Sequence, residues 1–360
     1  MRTLQVDAAR TFRGGEAQVL ALARGLARAG HETLIVARPE SALFERASRE
    51  GLGVRGLSMR GGWDLVAAVR LTRSVREFRA DLIHAHDAHG LSLSILASRL
   101  TGRPLVLSRR VDFPLSTRFR FRYRNAPARI LAVSREVARV LGAAGVPPER
   151  ISVVYDGVDP DAVAGLPPAD EILARYGLRA DGVYVGNVAS LTDHKGQRYF
   201  IEAAPAVLER FPDAIFLIAG EGELRKALEE LIRARGLKGK VLLLGFVPDV
   251  HRLYRALRVF VMSSHLEGLG SAVLEAMSAK VPVVASASGG LPELVENERT
   301  GLLVRPKDPE ALAGAIVRLL EDRVLSTRLA EEGERRVRAS FTVEKMVERT
   351  LEAYHEVAGK

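Results

Sequence analysis

The chain contains no cysteine. That absence excludes disulfides, a thiolate nucleophile and thiolate metal ligands, and it fits a reducing compartment. No apolar run approaches the ~20 residues that a membrane-crossing helix needs. The first residues, MRTLQVDAARTF, lack the apolar stretch of a secretory signal. A charged tail is missing as well. Net charge is +9 and Arg far outnumbers Lys, yet the positive residues are spread along the chain rather than gathered in a tail. No nucleic-acid-binding motif accompanies them, so specific nucleic-acid binding is not expected. The expectation is a cytoplasmic protein, with peripheral contact at the inner face of the cell membrane left open.

What is present is a folded composition, 47% hydrophobic and 27% charged over 360 residues. That length exceeds what one core usually supports, so two domains are expected. Short apolar runs at residues 34–37, 82–85, 105–107 and 130–133 read as strands of a first half. Runs at 182–188, 214–219, 241–244, 259–262 and 281–285 repeat the rhythm in a second. Amphipathic stretches lie between them, and this alternation predicts parallel sheets covered by helices on both faces. The first helix, residues 15–29, ends at Gly30, which suits a left-handed cap. Residues 157–169, rich in Pro, Gly and Asp, read as the connection between the halves. The expected division is residues 1–160, residues 161–340, and a C-terminal helix in 341–360 that packs back on the first domain. The architecture predicted is α/β, with two Rossmann-like doubly wound domains facing across a cleft, ligands lying at the carboxyl ends of the strands.

The segment 263–280, SSHLEGLGSAVLEAMSAK, carries the most chemistry. A strand precedes it, Gly268, Leu269 and Gly270 form a turn, and a helix follows from Ser271. Free amides and the helix dipole make such a start an anion site. Glu267 and Glu275, on either side of the turn, would accept hydrogen bonds from neutral hydroxyls. Phosphate together with hydroxyl-rich groups points to a nucleotide sugar. The bland alternative is that both carboxylates are solvated or capping groups.

Six motifs in order resemble the retaining glycosyltransferases of family 4, the glycosyl transferases group 1 with the GT-B fold. Gly14, Gly15 and Glu16 resemble the acceptor-side glycine loop. DLIHAH at 81–86 resembles the strand that ends beside the cleft. Ala132–Ser134 with residues 155–159, YDGVD, resembles the lead-in to the linker. GNVASLTDHKG at 186–196 resembles the loop with a donor-phosphate lysine. The spaced pair Glu267 and Glu275, and residues 289–304, complete the set. The resemblance covers nearly the whole chain.

The resemblance implies a sugar transferred from a nucleotide diphosphate sugar to an acceptor hydroxyl, with retention at the anomeric carbon and no metal or resident cofactor. It implies donor contacts from Lys195, Phe246, Val247, Glu267, the turn 268–270 and Glu275, with Asn187 standing where many relatives have arginine. Glu275 would hold the nucleotide ribose, Glu267 the sugar ring, and Lys195 the pyrophosphate. The catalytic set would be Glu267, Lys195, Arg110 and His86; Gly14, Gly15, Glu16 and Arg109 would lie on the acceptor side. Arg109 and Arg110 stand near a point where many relatives have histidine, and arginine's planar fork suits a phosphate or carboxylate. The alternative for them is an ion pair with Asp112. The acceptor would be a glycan, a lipid-linked sugar or a small molecule of cell-envelope synthesis.

His84, His86 and His89 invite a metal reading, but zinc needs three or four converging ligands. The preferred role for His86 is to orient a sugar hydroxyl. The run Asp156, Asp159 and Asp161 suits turn chemistry better than a cation site. RFRFRYR at 118–124 suits either an anionic membrane interface or, by preference, a helix with aromatics inward and arginines solvated. Two rival functions are a sugar-nucleotide epimerase of the same architecture and a non-catalytic sugar- or nucleic-acid-binding protein.

Overall fold

A computed structural model describes residues 1–115, 117–162, 166–167 and 169–359, without the side chains of 117–119. Part of the connection expected at 157–169, and the side chains of Arg118 and Phe119 in the basic aromatic stretch, thus lie outside what is described. The chain separates into two compact units: Met1–Gly157 with Val343–Lys360, and Val158–Thr342.

The first unit is built on seven parallel strands: β1 Arg2–Val6, β2 Glu32–Ala37, β3 Val54–Gly56, β4 Leu82–Ala85, β5 Leu105–Arg109, β6 Arg129–Ala132 and β7 Ile151–Val153. Their order is β3-β2-β1-β4-β5-β6-β7. The central strands are near-continuous apolar runs, as sheets covered on both faces require. Helices between them start on side-chain caps: Asp64, Asp87 and Ser134 each accept a bond from an amide of the first turn. The helix Gly14–Arg28 is followed by Gly30 at φ +79°. The last helix, Val343–Ala358, covers it, with Val343, Val347 and Tyr354 packed against Leu22 and Leu26. Gly25 allows this approach, since a Cβ there would overlap the Val347 side chain.

The second unit has six parallel strands: β8 Tyr184–Val188, β9 Ile215–Ala219, β10 Val241–Gly245, β11 Leu257–Met262, β12 Val283–Ser286 and β13 Leu302–Val304. Their order is β10-β9-β8-β11-β12-β13. Phe200, Phe216, Ile218 and Val261 lie in its buried core. The chain enters and leaves this unit side by side, through a parallel bridge between Val158 and Thr342.

Each sheet reverses its winding at one place, between β1 and β4 and between β8 and β11. Such switch points open a crevice outside the carboxyl ends of the strands. The candidate residues gather at these two places.

Candidate active site

In the second unit three loops meet beyond β8, β11 and β12. The loop after β8 ends in Lys195 and Gly196, and Gly196 sits at φ +66° with a Cβ position that would overlap the backbone oxygen of Ser263. Backbone contact continues from His265 N to His194 O at 2.9 Å. Ser263 Oγ donates to the Lys195 carbonyl at 3.1 Å. The loop after β12 closes the other side: Ser288 Oγ donates to Ser264 O at 2.7 Å, and Gly290 N to Glu267 O at 2.8 Å. Gly289, at φ +54°, leaves no room for a Cβ against the Glu267 backbone.

This packing brings Lys195 Nζ to 2.6 Å from Glu267 Oε2, which also accepts from Ser264 Oγ at 3.0 Å. Sequence reasoning assigned lysine and glutamate to different parts of a donor; the structure makes them one ion-paired, largely buried cluster. It also adds Ser263 and Ser264, whose only signal was adjacency to the LEG turn. Beyond Glu267, Gly270 at φ +103° opens the helix Ser271–Ser278, and the Leu269 side chain is buried beneath the turn.

Glu275 lies on that helix, half-buried, and burial raises its carboxyl pKa while His251 opposes the shift. The Tyr254 hydroxyl is fully buried and held far above its ordinary pKa, first by burial and then by the Glu275 carboxylate. It completes no hydrogen bond of normal geometry. Beyond β10, Phe246 is 56% exposed whereas Val247 is buried.

One donor-side expectation is overturned. Asn187 does not stand where a donor could reach it: it is fully buried, and its Nδ2 donates to Val261 O at 2.8 Å, tying β8 to β11. A position next to the end of a central strand points into the sheet, which loop-based reasoning did not register.

In the first unit Arg110 follows β5. Its Nε donates to Asp156 Oδ1 at 3.0 Å and its Nη1 lies 3.2 Å from His86 Nδ1. His86 Nε2 is 2.8 Å from Gln5 Oε1, and Gln5 Nε2 donates to Thr3 Oγ1 at 3.0 Å. With Gln5 presenting its carbonyl oxygen, His86 must carry its proton on Nε2, so Nδ1 accepts from Arg110. Burial holds the His86 pKa well below its ordinary value, which keeps the ring neutral. Both ring nitrogens are therefore occupied, and the expectation that His86 orients a sugar hydroxyl is corrected: it orients Arg110. His84 is equally engaged, with Nδ1 2.6 Å from Tyr354 Oη and Nε2 2.9 Å from Ser108 Oγ.

Arg109 also departs from the acceptor-side expectation. It is buried, with Nη1 donating to Tyr123 Oη at 3.2 Å and Nη2 to Phe113 O. Strand alternation explains why adjacent arginines point to opposite faces. Glu16 caps its own helix, accepting from Arg13 N at 2.6 Å. Gly15 has open space around its Cβ position. Near these residues lie two carboxylates that sequence reasoning missed or set aside, Asp7 and Asp87. Asp87 Oδ2 accepts from Ala8 N at 2.6 Å, and Oδ1 accepts from His89 N at 2.8 Å. Burial, helped by Asp87 and Glu16, pushes the Asp7 pKa up to about 7. Among the described residues no group of three or more His, Asp or Glu side chains could hold a metal ion.

Two Rossmann-like units, each with a polar cluster at its switch point, define the doubly wound α/β class. Residues 169–336 match the family described as Glycosyl transferases group 1, and residues 12–162 match Glycosyltransferase Family 4. An α-D-kanosaminyltransferase of Streptomyces kanamyceticus is 31% identical, over 82% of this chain and 83% of that one. An uncharacterized glycosyltransferase of Methanocaldococcus jannaschii is 32% identical over a shorter stretch, 62% of this chain and 59% of that one. The UDP-Gal:α-D-GlcNAc-diphosphoundecaprenol α-1,3-galactosyltransferase of Escherichia coli is 27% identical over 81% of this chain and 79% of that one. Among solved structures, Anabaena HepE in complex with UDP-glucose superimposes with a TM-score of 0.88 at 24% identity, covering 99% of this chain and 100% of that one. The chain belongs to the group 1 glycosyltransferases and has their GT-B fold. It is a glycosyltransferase; none of these relatives is named as an epimerase.

Proposed function

We propose that the protein transfers a hexosyl group from a uridine diphosphate sugar to a hydroxyl of a glycan or a lipid-linked sugar in cell-envelope synthesis, with retention and without a metal. The observation that carries this reading is the ion-paired cluster of Lys195 and Glu267 at the β8–β11 switch point, beside the amides that open the helix Ser271–Ser278. Uridine as the base draws on the E. coli relative, named for UDP-Gal, and on HepE, solved with UDP-glucose. A lipid-linked acceptor draws on the diphosphoundecaprenol in the E. coli relative's name. Contact with the inner face of the cell membrane, from the cytoplasm, is part of this reading. No helix among the described residues is long and apolar enough to cross a membrane.

In this reading the donor lies on the second unit. Lys195 and the turn amides take the pyrophosphate, Glu275 accepts from the ribose hydroxyls, Glu267 accepts from hydroxyls of the sugar, and Phe246 offers an exposed ring to the base. As the bond from the anomeric carbon to the phosphate oxygen breaks, negative charge grows on the leaving diphosphate, where a preorganised cation and amides stabilise it most. The acceptor oxygen bonds to the anomeric carbon on the face that the phosphate leaves, and its proton passes to that phosphate. A protein base is not needed. On the first unit Arg110, held by His86 and Asp156, serves an anionic group of the substrates, and the open space at Gly15 admits the acceptor.

The test is incubation with UDP-, GDP- and ADP-sugars and soluble sugar acceptors, with product anomers read by NMR. Transfer from a UDP-sugar with α-configuration kept is expected. Isomerised donor, or no donor consumed, overturns the reading.

A further inference from the structure

The first unit carries an exposed apolar surface that this chemistry leaves unused. Trp63 is 74% exposed, and Leu65, Val66 and Val69 at the start of the helix Leu65–Phe78 are exposed as well. Their spacing puts them on one side of the helix, while Ala67, Ala68, Leu71 and Val75 on the other are buried. From the helix Thr117–Asn125, Phe121 is 71% exposed and Tyr123 is turned inward. Arg122 joins the two elements: its guanidinium lies 4.5 Å from the centre of the Trp63 ring, and Nη1 donates to Ser92 Oγ at 2.7 Å.

Positive charge predominates in the stretches 60–70 and 120–124. Arg60 and Arg70 flank the apolar residues in the chain, Arg120 and Arg124 flank Phe121, and all four are exposed. The one carboxylate of the stretch, Asp64, is occupied in capping, accepting from Ala67 N at 2.9 Å and Arg60 N at 3.1 Å. Exposed apolar residues grouped in this way mark an interaction surface rather than ordinary solvent-facing polarity. An indole ring prefers the depth where apolar chains meet polar headgroups, and arginines beside it pair with phosphate.

We propose that this surface docks on an anionic phospholipid bilayer. Trp63, Leu65, Val66, Val69 and Phe121 enter the headgroup layer, and the exposed arginines pair with lipid phosphates. The inference rests on the membrane contact in the functional reading and names the face that makes it.

Trp63 is the only tryptophan in the chain, so its fluorescence reports this surface alone. The test adds vesicles of phosphatidylcholine with phosphatidylglycerol, or of phosphatidylcholine alone, and follows emission, quenching by brominated lipid and co-flotation. Blue-shifted, quenched emission and flotation are expected with the anionic vesicles, weakened by high salt. Leu65→Ser/Val66→Ser/Val69→Ser and Arg60→Ser/Arg70→Ser are each expected to lower partitioning about tenfold or more. Unshifted emission without flotation overturns the proposal, as does equal binding by the apolar triple variant. A concentration-dependent dimer that the triple variant abolishes overturns it in favour of a second copy of this chain. Transfer to a water-soluble acceptor, measured in parallel, separates the two readings. Transfer without vesicle binding removes the docking surface alone, and vesicle binding without transfer removes the reaction alone.

Discussion

Lys195 Nζ donates to Glu267 Oε2 across 2.6 Å although 72 residues separate them in the chain. Breaking such a pair from one side strands the other charge, whereas neutralising both does not. Lys195→Ala is expected to lower unfolding free energy by about 2 kcal/mol, less than a fully buried pair would lose because the lysine is partly exposed. Lys195→Met/Glu267→Gln should recover most of that loss in urea denaturation, while each single variant lowers transfer by about a hundredfold or more. Additive stability losses would show that the two groups do not hold each other.

Glu275 should act on the nucleotide and not on the fold. Glu275→Ala is expected to weaken UDP binding about 10- to 100-fold by calorimetry, the worth of hydrogen bonds to a carboxylate. Only the ionised form accepts from both ribose hydroxyls. Because burial raises its pKa, affinity should begin to fall at a higher pH than an exposed glutamate would give. Glu275→Gln should flatten that dependence; a profile unchanged by it removes the ribose role.

Two glycines should respond in opposite ways. Gly289→Ala places a methyl against the Glu267 backbone at φ +54°, so loss of at least about 2 kcal/mol and of donor binding is expected. Gly15→Ala lies in a helix and meets nothing within 4 Å, so its melting temperature should rise slightly. If the acceptor approaches there, the same methyl raises the acceptor KM. An unchanged acceptor KM places the acceptor elsewhere.

Asp7 makes stability depend on pH. Its pKa is 3.8 in a free side chain and about 7 in the fold, so between these values the unfolded chain ionises while the folded protein keeps its proton. Its contribution is thus present in full below about pH 4 and declines as pH rises to about 7. Asp7→Asn should be nearly as stable as the parent at low pH and more stable above about pH 7, by up to about 4 kcal/mol. His84 and His86, held neutral by burial, act in the opposite direction and lower stability as pH falls below about 6.5. The difference between Asp7→Asn and parent, from urea titrations across this range, isolates Asp7. A constant difference would mean that Asp7 is ionised throughout.

The parallel sheets were legible because buried strands are written as unbroken apolar runs: residues 82–85 coincide with β4, and 259–262 fall within β11. Four strands were not delimited: β1, whose RTLQV mixes polar with apolar residues, and β3, β7 and β13, each only three residues long and carrying too little pattern to separate from a loop. The glycine turn and helix start at Ser271 were equally plain, since φ above zero at Gly270 and a helical period need no distant partner. Asn187, Arg109 and His86 were misjudged for one reason. Each sits in or beside a strand, and which face a strand residue shows, and who fills its hydrogen bonds, depends on strands that come later in the chain.

By itself, then, the sequence determined the α/β class, the likeness to the glycosyltransferases and the neighbourhood of the donor residues, because apolar period, glycine and short motif spacing are local properties. Tertiary structure alone decided that Lys195 meets Glu267, that Gln5 sets the tautomer of His86 and so the aim of Arg110, and that Arg122 lies over the Trp63 ring. Those are contacts between residues far apart in the chain, and parallel sheet order, which local pattern does not encode, is what brings them together.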